Sequence, residues 1–533
     1  MLWFFFCVAL LVLGYFVYGK IIEKIFVINP KRSTPAYTMQ DGVDYLPMSK
    51  TKIWLIQLLN IAGTGPIFGP ILGALYGPVA MLWIVVGCIF AGAVHDYFCG
   101  MLSIRNGGAS MPNLTGKYLG RFPKAFINLL AVVLLLLVGV VFVASPAQLL
   151  STITVDVFGA TSSGALVLGN PEEVQVASQT VSDITVFGMD KPTVIAVWTF
   201  IIFAYYILAT LLPIDKIIGR IYPIFGALLL FMSVGMVYGL VTAHFSANES
   251  ISFYHTVGGM EWDKFFQNFE TRQDLPLWPL LFLTISCGAL SGFHATQTPL
   301  MARCAENESE GRFIFYGAMI TEGIIALIWC AVGLSFYDSL PDLLTAIKEG
   351  SPSKVVYDSS IHFLGFVGGI FAVLGVVVLP ITSGDTAFRA ARLIIAEFFH
   401  IEQRTLVKRL VVAIPLFVIG FIVSKIDFSI LWRYFTWANQ TTAMIMLWTS
   451  AAYLYRFRKF HWVCTIPAIF ISTVCFTFLA YNKIGFGLDY ELSVWLGLAA
   501  TALCTVLFFT QVKRVAVGEK DPEIFVDDTA KSN

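Results

Sequence analysis

Three carboxylates, two histidines and a group of hydroxyls interrupt stretches of the chain that are otherwise apolar. Asp96 follows His95 at the end of one apolar run. Glu322 sits in Met319-Ile320-Thr321-Glu322-Gly323, and Asp385 closes the run Thr382-Ser383-Gly384-Asp385 after Leu379-Pro380. Ser291, His294, Thr296 and Gln297 crowd into a third stretch, Ser291-Gly292-Phe293-His294-Ala295-Thr296-Gln297. A charge in the middle of a bilayer costs at least ~2.5 kcal/mol, so each such residue implies a partner or a task. Hydroxyls with a carboxylate are hard-oxygen ligands, suited to Na⁺ or to a proton relay. Glu322 is a carboxyl that could titrate during a working cycle, or a structural hydrogen bonder. Asp385 and Ser383 could instead cap a helix over 386–399. His95-Asp96 could resemble a metal pair, but no further ligand follows at a suitable spacing, so a helix-end interface pair is the preferred reading and no metal is expected. Phosphate-cradling, zinc-peptidase and serine-hydrolase motifs are absent, so neither an ATP-driven motor nor an enzyme is expected, and no cofactor is implied beyond H⁺ or Na⁺ as a coupling ion.

What holds these residues is a membrane protein. Of 533 residues, 57% are hydrophobic and 13% charged, where soluble domains carry about 25% charged residues. Mean hydropathy is +0.78. The 34 basic residues balance 34 acidic ones, which argues against a nucleic-acid partner. All nine cysteines lie in or beside apolar stretches, as reduced packing residues do. The composition excludes a soluble multidomain enzyme, a disordered chain and a disulfide-built module.

About thirteen stretches reach the ~20 apolar residues that a spanning helix needs. They are 2–19, 53–76, 78–98, 126–145, 193–212, 221–243, 277–297, 314–336, 361–382, 410–424, 428–453, 462–481 and 492–511, here spans 1 to 13. Alternate loops differ in Lys and Arg, 26 in one set against 7 in the other. By the positive-inside rule the N-terminus is expected outside and the C-terminus in the cytoplasm. Span 1 lacks a cleavage site and is expected to stay as an anchor.

Two spans contain helix breakers at mid-membrane. Span 2 carries Ala62-Gly63-Thr64-Gly65-Pro66-Ile67-Phe68-Gly69-Pro70, and span 7 carries Ser286-Cys287-Gly288-Ala289-Leu290-Ser291-Gly292. Unwound backbone at that depth is tolerated only when it is buried in protein or lines a cavity. Gly63, Thr64, Gly65 and Pro66, with Ser291, His294, Thr296 and Gln297, are therefore expected to bind substrate. A kinked packing helix and an interfacial cap are the plainer alternatives. The two breaks lie five spans apart, an odd number, so the two units run in opposite senses, as in an inverted repeat. The expected fold is all-α and LeuT-like, with two interlocked five-helix repeats. Residues 1–52 would form an anchor and loop, 53–243 the first repeat, 244–276 an external loop, 277–453 the second repeat, 454–511 two added helices and 512–533 a tail. By analogy with such transporters, Thr382 and Ser383 with carbonyls near Gly63 would hold a cation, while Asp385, Glu322 or Asp96 would serve proton coupling.

Several of these motifs resemble the carbon starvation protein A (CstA) family. The resemblance runs through Gly63 to Ala74, Phe90-Ala91-Gly92-Ala93-Val94-His95-Asp96, Ile104-Arg105-Asn106-Gly107-Gly108, Ser291 to Gln297, Met301-Ala302-Arg303-Cys304, Phe315 to Met319 and Leu379 to Arg389. It implies a transporter of the bacterial inner membrane, grouped with the amino acid/polyamine/organocation superfamily. Such a protein imports peptides during carbon starvation or, in some members, pyruvate with protons. The partner implied is a small solute in a lipid bilayer; oligomeric state stays open. A membrane nutrient sensor is the alternative of another class.

Overall fold

The computed structural model describes residues 2–159, 185–245 and 276–514, apart from residues 43, 212, 213, 402 and 404. The described residues are almost entirely helical and contain no strand. Most of the loop expected at 244–276, and the tail beyond residue 514, lie outside them.

All thirteen expected spans fall on helices. Among the described residues, ten helices are long and apolar enough to cross a membrane, and Lys50–Ile61 with Gly65–Tyr76, bent by 50°, make an eleventh. The other two are span 7, in two pieces, and Phe428–Arg456, which is span 11. Both are rich in buried polar side chains, so they belong to the protein interior and not to lipid.

The helices overrun several expected ends. The loop expected at 337–360 is helical from Leu340, and one element runs on to Phe398 with turns of non-helical backbone at Gly350, Ser351 and Gly365. Pro380 does not stop it. At this point the Tyr206 hydroxyl of span 5 lies 2.9 Å from the Pro380 carbonyl and ties the two helices together. The separate helix expected at 386–399 is thus the continuation of span 9, and Asp385 caps nothing.

The core lies around spans 2, 3, 7, 8, 9 and 11, where most buried residues collect, whereas spans 5, 10 and 13 carry many exposed apolar side chains. Two short π-helical turns, Cys88–Gly92 in span 3 and Arg312–Tyr316 at the start of span 8, precede the residues of interest. Such turns shift the phase of a helix by one residue. Here they set the faces that present His95 and Asp96, and then Glu322. At one end of the bundle, Arg105 reaches both carboxylate oxygens of the fully buried Glu308 at 3.0 and 2.9 Å and the Tyr453 hydroxyl at 2.9 Å. That cluster fastens the chain after span 1 to the ends of spans 3 and 11.

Candidate functional site

Span 2 is two half-helices, Lys50–Ile61 and Gly65–Gly73, separated by Ala62, Gly63 and Thr64. Span 7 is likewise Leu277–Thr284 and His294–Ala302, with nine residues of irregular chain between them. Gly and Pro explain both interruptions: Pro66 has no N–H to give, and Gly288 takes φ +85°, a conformation that side-chain-bearing residues rarely adopt.

The two breaks touch. A Cβ on Gly65 would collide with the sulfur of Cys287, and a Cβ on Gly288 would lie 3.8 Å from the Cα of Pro66. Phe142 of span 4 closes over Gly63 and packs edge-on against Phe293 at 5.8 Å. Ile67 and Phe68 both donate to the Thr64 carbonyl, at 3.1 and 2.8 Å. The start of this half-helix, where the sequence places substrate binding, therefore has few free donors. With no donor on Pro66, the Thr64 and Gly65 amides and the Thr64 hydroxyl are left. The Thr64 hydroxyl is buried and has no hydrogen-bond partner.

The far side of the junction rests on span 11. The Asn439 carboxamide oxygen accepts from the Phe293 N–H at 2.7 Å and from the Ser291 hydroxyl at 3.2 Å. Its Nδ2 donates to Cys287 Sγ at 3.5 Å. Gln440 donates to the Phe282 carbonyl at 2.9 Å. The reading of the sequence missed both residues. Their signal was four consecutive polar residues, Asn439 to Thr442, in the middle of a span.

His294 sits apart from its expected substrate-binding neighbours and joins the carboxylates instead. Its Nδ1 lies 2.8 Å from Asp96 Oδ2, and its Nε2 lies 3.2 Å from Glu322 Oε2. The other oxygen of Asp96 is 2.8 Å from His95 Nδ1. All four side chains are wholly buried. Asp96 and Glu322, considered as alternatives from the sequence, are thus the two ends of one chain with an imidazole between them. Thr296 is spent locally, whereas the Gln297 carboxamide oxygen is buried without a partner. Thr296 donates to the Phe293 carbonyl at 2.6 Å and accepts from Gln297 at 3.0 Å.

Thr382 and Ser383 converge on span 2. Each hydroxyl oxygen lies 3.1 Å from the Leu59 carbonyl, one turn before Gly63, and that of Thr382 is also 2.8 Å from the Leu379 carbonyl of its own helix. The carbonyl they meet thus belongs to the last turn of the first half-helix and not to the break itself. Asp385 does not join them. It lies 3.8 Å from Arg389, one turn further along the same helix. Among the described residues no group of three or more His, Cys, Asp or Glu side chains could hold a metal ion. Arg433 is exposed and belongs to none of these clusters.

A family model described as "Carbon starvation protein CstA" matches residues 1–340, more than half of the chain. This chain belongs to the CstA family. Peptide transporter CstA of Bacillus subtilis (strain 168) is 25% identical over 532 residues, covering 87% of each chain. Pyruvate/proton symporter BtsT of Escherichia coli (strain K12) is 28% identical over 341 residues, 58% of this chain and 45% of that protein. The chain therefore aligns with less than half of the length of BtsT. Among solved structures, MhsT in complex with L-phenylalanine superposes with a TM-score of 0.54 at 14% identity, over 87% of this chain and 99% of that one. That likeness carries the fold: a LeuT-like bundle with two broken helices. The CstA-family chain is a multi-pass membrane transporter and not an enzyme.

Proposed function

We propose that this CstA-family protein imports a small carboxylate-bearing nutrient across the bacterial inner membrane together with protons. The N-terminus would then face outside and the C-terminus the cytoplasm. The observation that carries the proton reading is the chain Asp96–His294–Glu322. An ionised Asp96 only accepts, so it fixes the protons of both histidines on Nδ1. A neutral His294 then offers a bare Nε2 toward Glu322, and at 3.2 Å a bare nitrogen and a bare carboxylate would repel. One proton shared between His294 Nε2 and Glu322 Oε2 relieves this, and it can be taken up on one side of the membrane and given up on the other. His294 is the first residue of the second half-helix of span 7. Movement of that half-helix would therefore change the distance to Glu322, which is fixed on span 8, and link proton affinity to the solute junction.

The solute would lie where the breaks meet, with its carboxylate at the Gly65 amide and the Thr64 hydroxyl. Direct contact of Gly65 with Cys287 and of Pro66 with Gly288 favours a small solute. We therefore place pyruvate, the solute named for BtsT, ahead of the peptides named for the CstA relatives. Sodium coupling is the second reading, favoured by the two hydroxyls that meet the Leu59 carbonyl. Uptake of labelled pyruvate into proteoliposomes, with an imposed proton gradient or a sodium gradient and with or without excess dialanine, separates these readings. Accumulation driven by protons without sodium, and insensitive to dialanine, supports the proposal. Accumulation driven by sodium alone, or inhibition by dialanine, overturns the corresponding part.

A further inference from the structure

We propose that Asn439 is the positioning residue that holds the broken segment of span 7 against its neighbours and so shapes the solute junction. The inference rests on reading that junction as the transport site. Span 11 has no breaker of its own; it is a continuous helix, Phe428–Arg456, and therefore a rigid support. It grips span 7 on both sides of the gap. Gln440 bonds to the carbonyl of Phe282 in the last turn of the first half-helix, and Asn439 bonds to the amide of Phe293 just before the second. Between these points Asn439 also takes the Ser291 hydroxyl and gives to the Cys287 sulfur that presses on Gly65. One carboxamide thus serves three groups of the irregular chain. In a hydrocarbon-depth interior each main-chain amide needs such a partner.

The approach of the two elements is as close as backbone allows. A Cβ on Gly292 would overlap the Asn439 carbonyl oxygen and the Ala443 amide nitrogen. The Asn439 side chain is wholly buried, so water cannot substitute for it. Loss of the carboxamide would leave the Phe293 amide and the Ser291 hydroxyl without their partner and free Cys287 to move away from Gly65.

The test follows alkylation of Cys287 by N-ethylmaleimide in the full-length protein in proteoliposomes, read by peptide mass spectrometry, beside pyruvate uptake. Asn439→Leu should raise the rate of Cys287 modification about tenfold, the factor that about 1.4 kcal/mol represents. It should raise KM for pyruvate by a similar factor while Vmax changes less than about threefold. Asn439→Asp keeps an acceptor for the Phe293 amide and the Ser291 hydroxyl but not the N–H that meets Cys287, so it should bring KM back toward wild type while Cys287 modification stays fast. If the leucine variant fails to insert, Asn439→Ser, too short to reach the Phe293 amide, takes its place. Equal modification rates in the leucine variant and wild type, or an aspartate variant with the KM of the leucine variant, overturn the proposal. Faster modification of the leucine variant with an unchanged KM overturns it too. Modification that behaves as expected while wild type takes up no pyruvate leaves the tether standing and removes the choice of solute.

Discussion

Replacing Glu322 by glutamine should separate solute movement from proton movement. The side chain is wholly buried and its carboxylate lies 3.2 Å from His294 Nε2. Glutamine keeps the volume and offers both a donor and an acceptor to the imidazole, so the fold should lose no more than one hydrogen bond's net worth, about 0.5–1.5 kcal/mol. Glu322→Ala is a poorer test, because stripping one partner from a buried pair costs about 3–5 kcal/mol and leaves the other unsatisfied. The amide cannot carry a proton through the cycle. With a gradient of one pH unit and one proton per solute, wild type should concentrate pyruvate about tenfold, since about 1.4 kcal/mol is a factor of ten. The glutamine variant should stop at equal concentrations inside and out. Its counterflow exchange at matched pH should stay within about threefold of wild type, a difference of under about 1 kcal/mol. A glutamine variant that still concentrates pyruvate about tenfold would refute the relay.

Two further outcomes are expected. Thr382→Ala with Ser383→Ala should leave proton-driven uptake intact, because both hydroxyls are already satisfied by main-chain carbonyls and need no ion to be paired; loss of uptake that excess sodium restores would establish the sodium reading instead. Gly292→Ala should prevent accumulation of folded protein in the membrane, because the added methyl would meet backbone atoms of Asn439 and Ala443 that cannot move aside; normal levels on size-exclusion chromatography would contradict the close approach.

The breaks in spans 2 and 7 were legible because Gly and Pro act on the backbone locally, wherever the chain folds. Their odd spacing then gave the inverted repeat without any contact being known. The polar clusters were legible only as members. Asp96 and Glu322 stood out as charges in apolar runs, but His294 is 198 residues from Asp96, and nothing local in a sequence pairs them. Asn439 was passed over for the opposite reason: it sits in an unbroken helix, where its polar run, Asn439 to Thr442, passes as helix surface until a neighbour's unpaired amide is found beside it. Helix ends were misplaced where a helix runs on past a proline, as span 9 does at Pro380. The apolar run ended before the helix did.

The claim on which the account turns is that a solute completes the junction of the two breaks. Thr64→Val tests it most directly, because the Thr64 hydroxyl is buried without a partner in the protein. Folding gains nothing from such a group, so an isosteric methyl should leave the melting temperature unchanged or raise it. Equilibrium binding of labelled pyruvate and labelled dialanine to purified protein is the measurement. The account predicts a valine variant as stable as wild type that binds its solute about tenfold more weakly, the loss of one buried hydrogen bond of about 1.4 kcal/mol. Equal binding of both probes by the two proteins would contradict it.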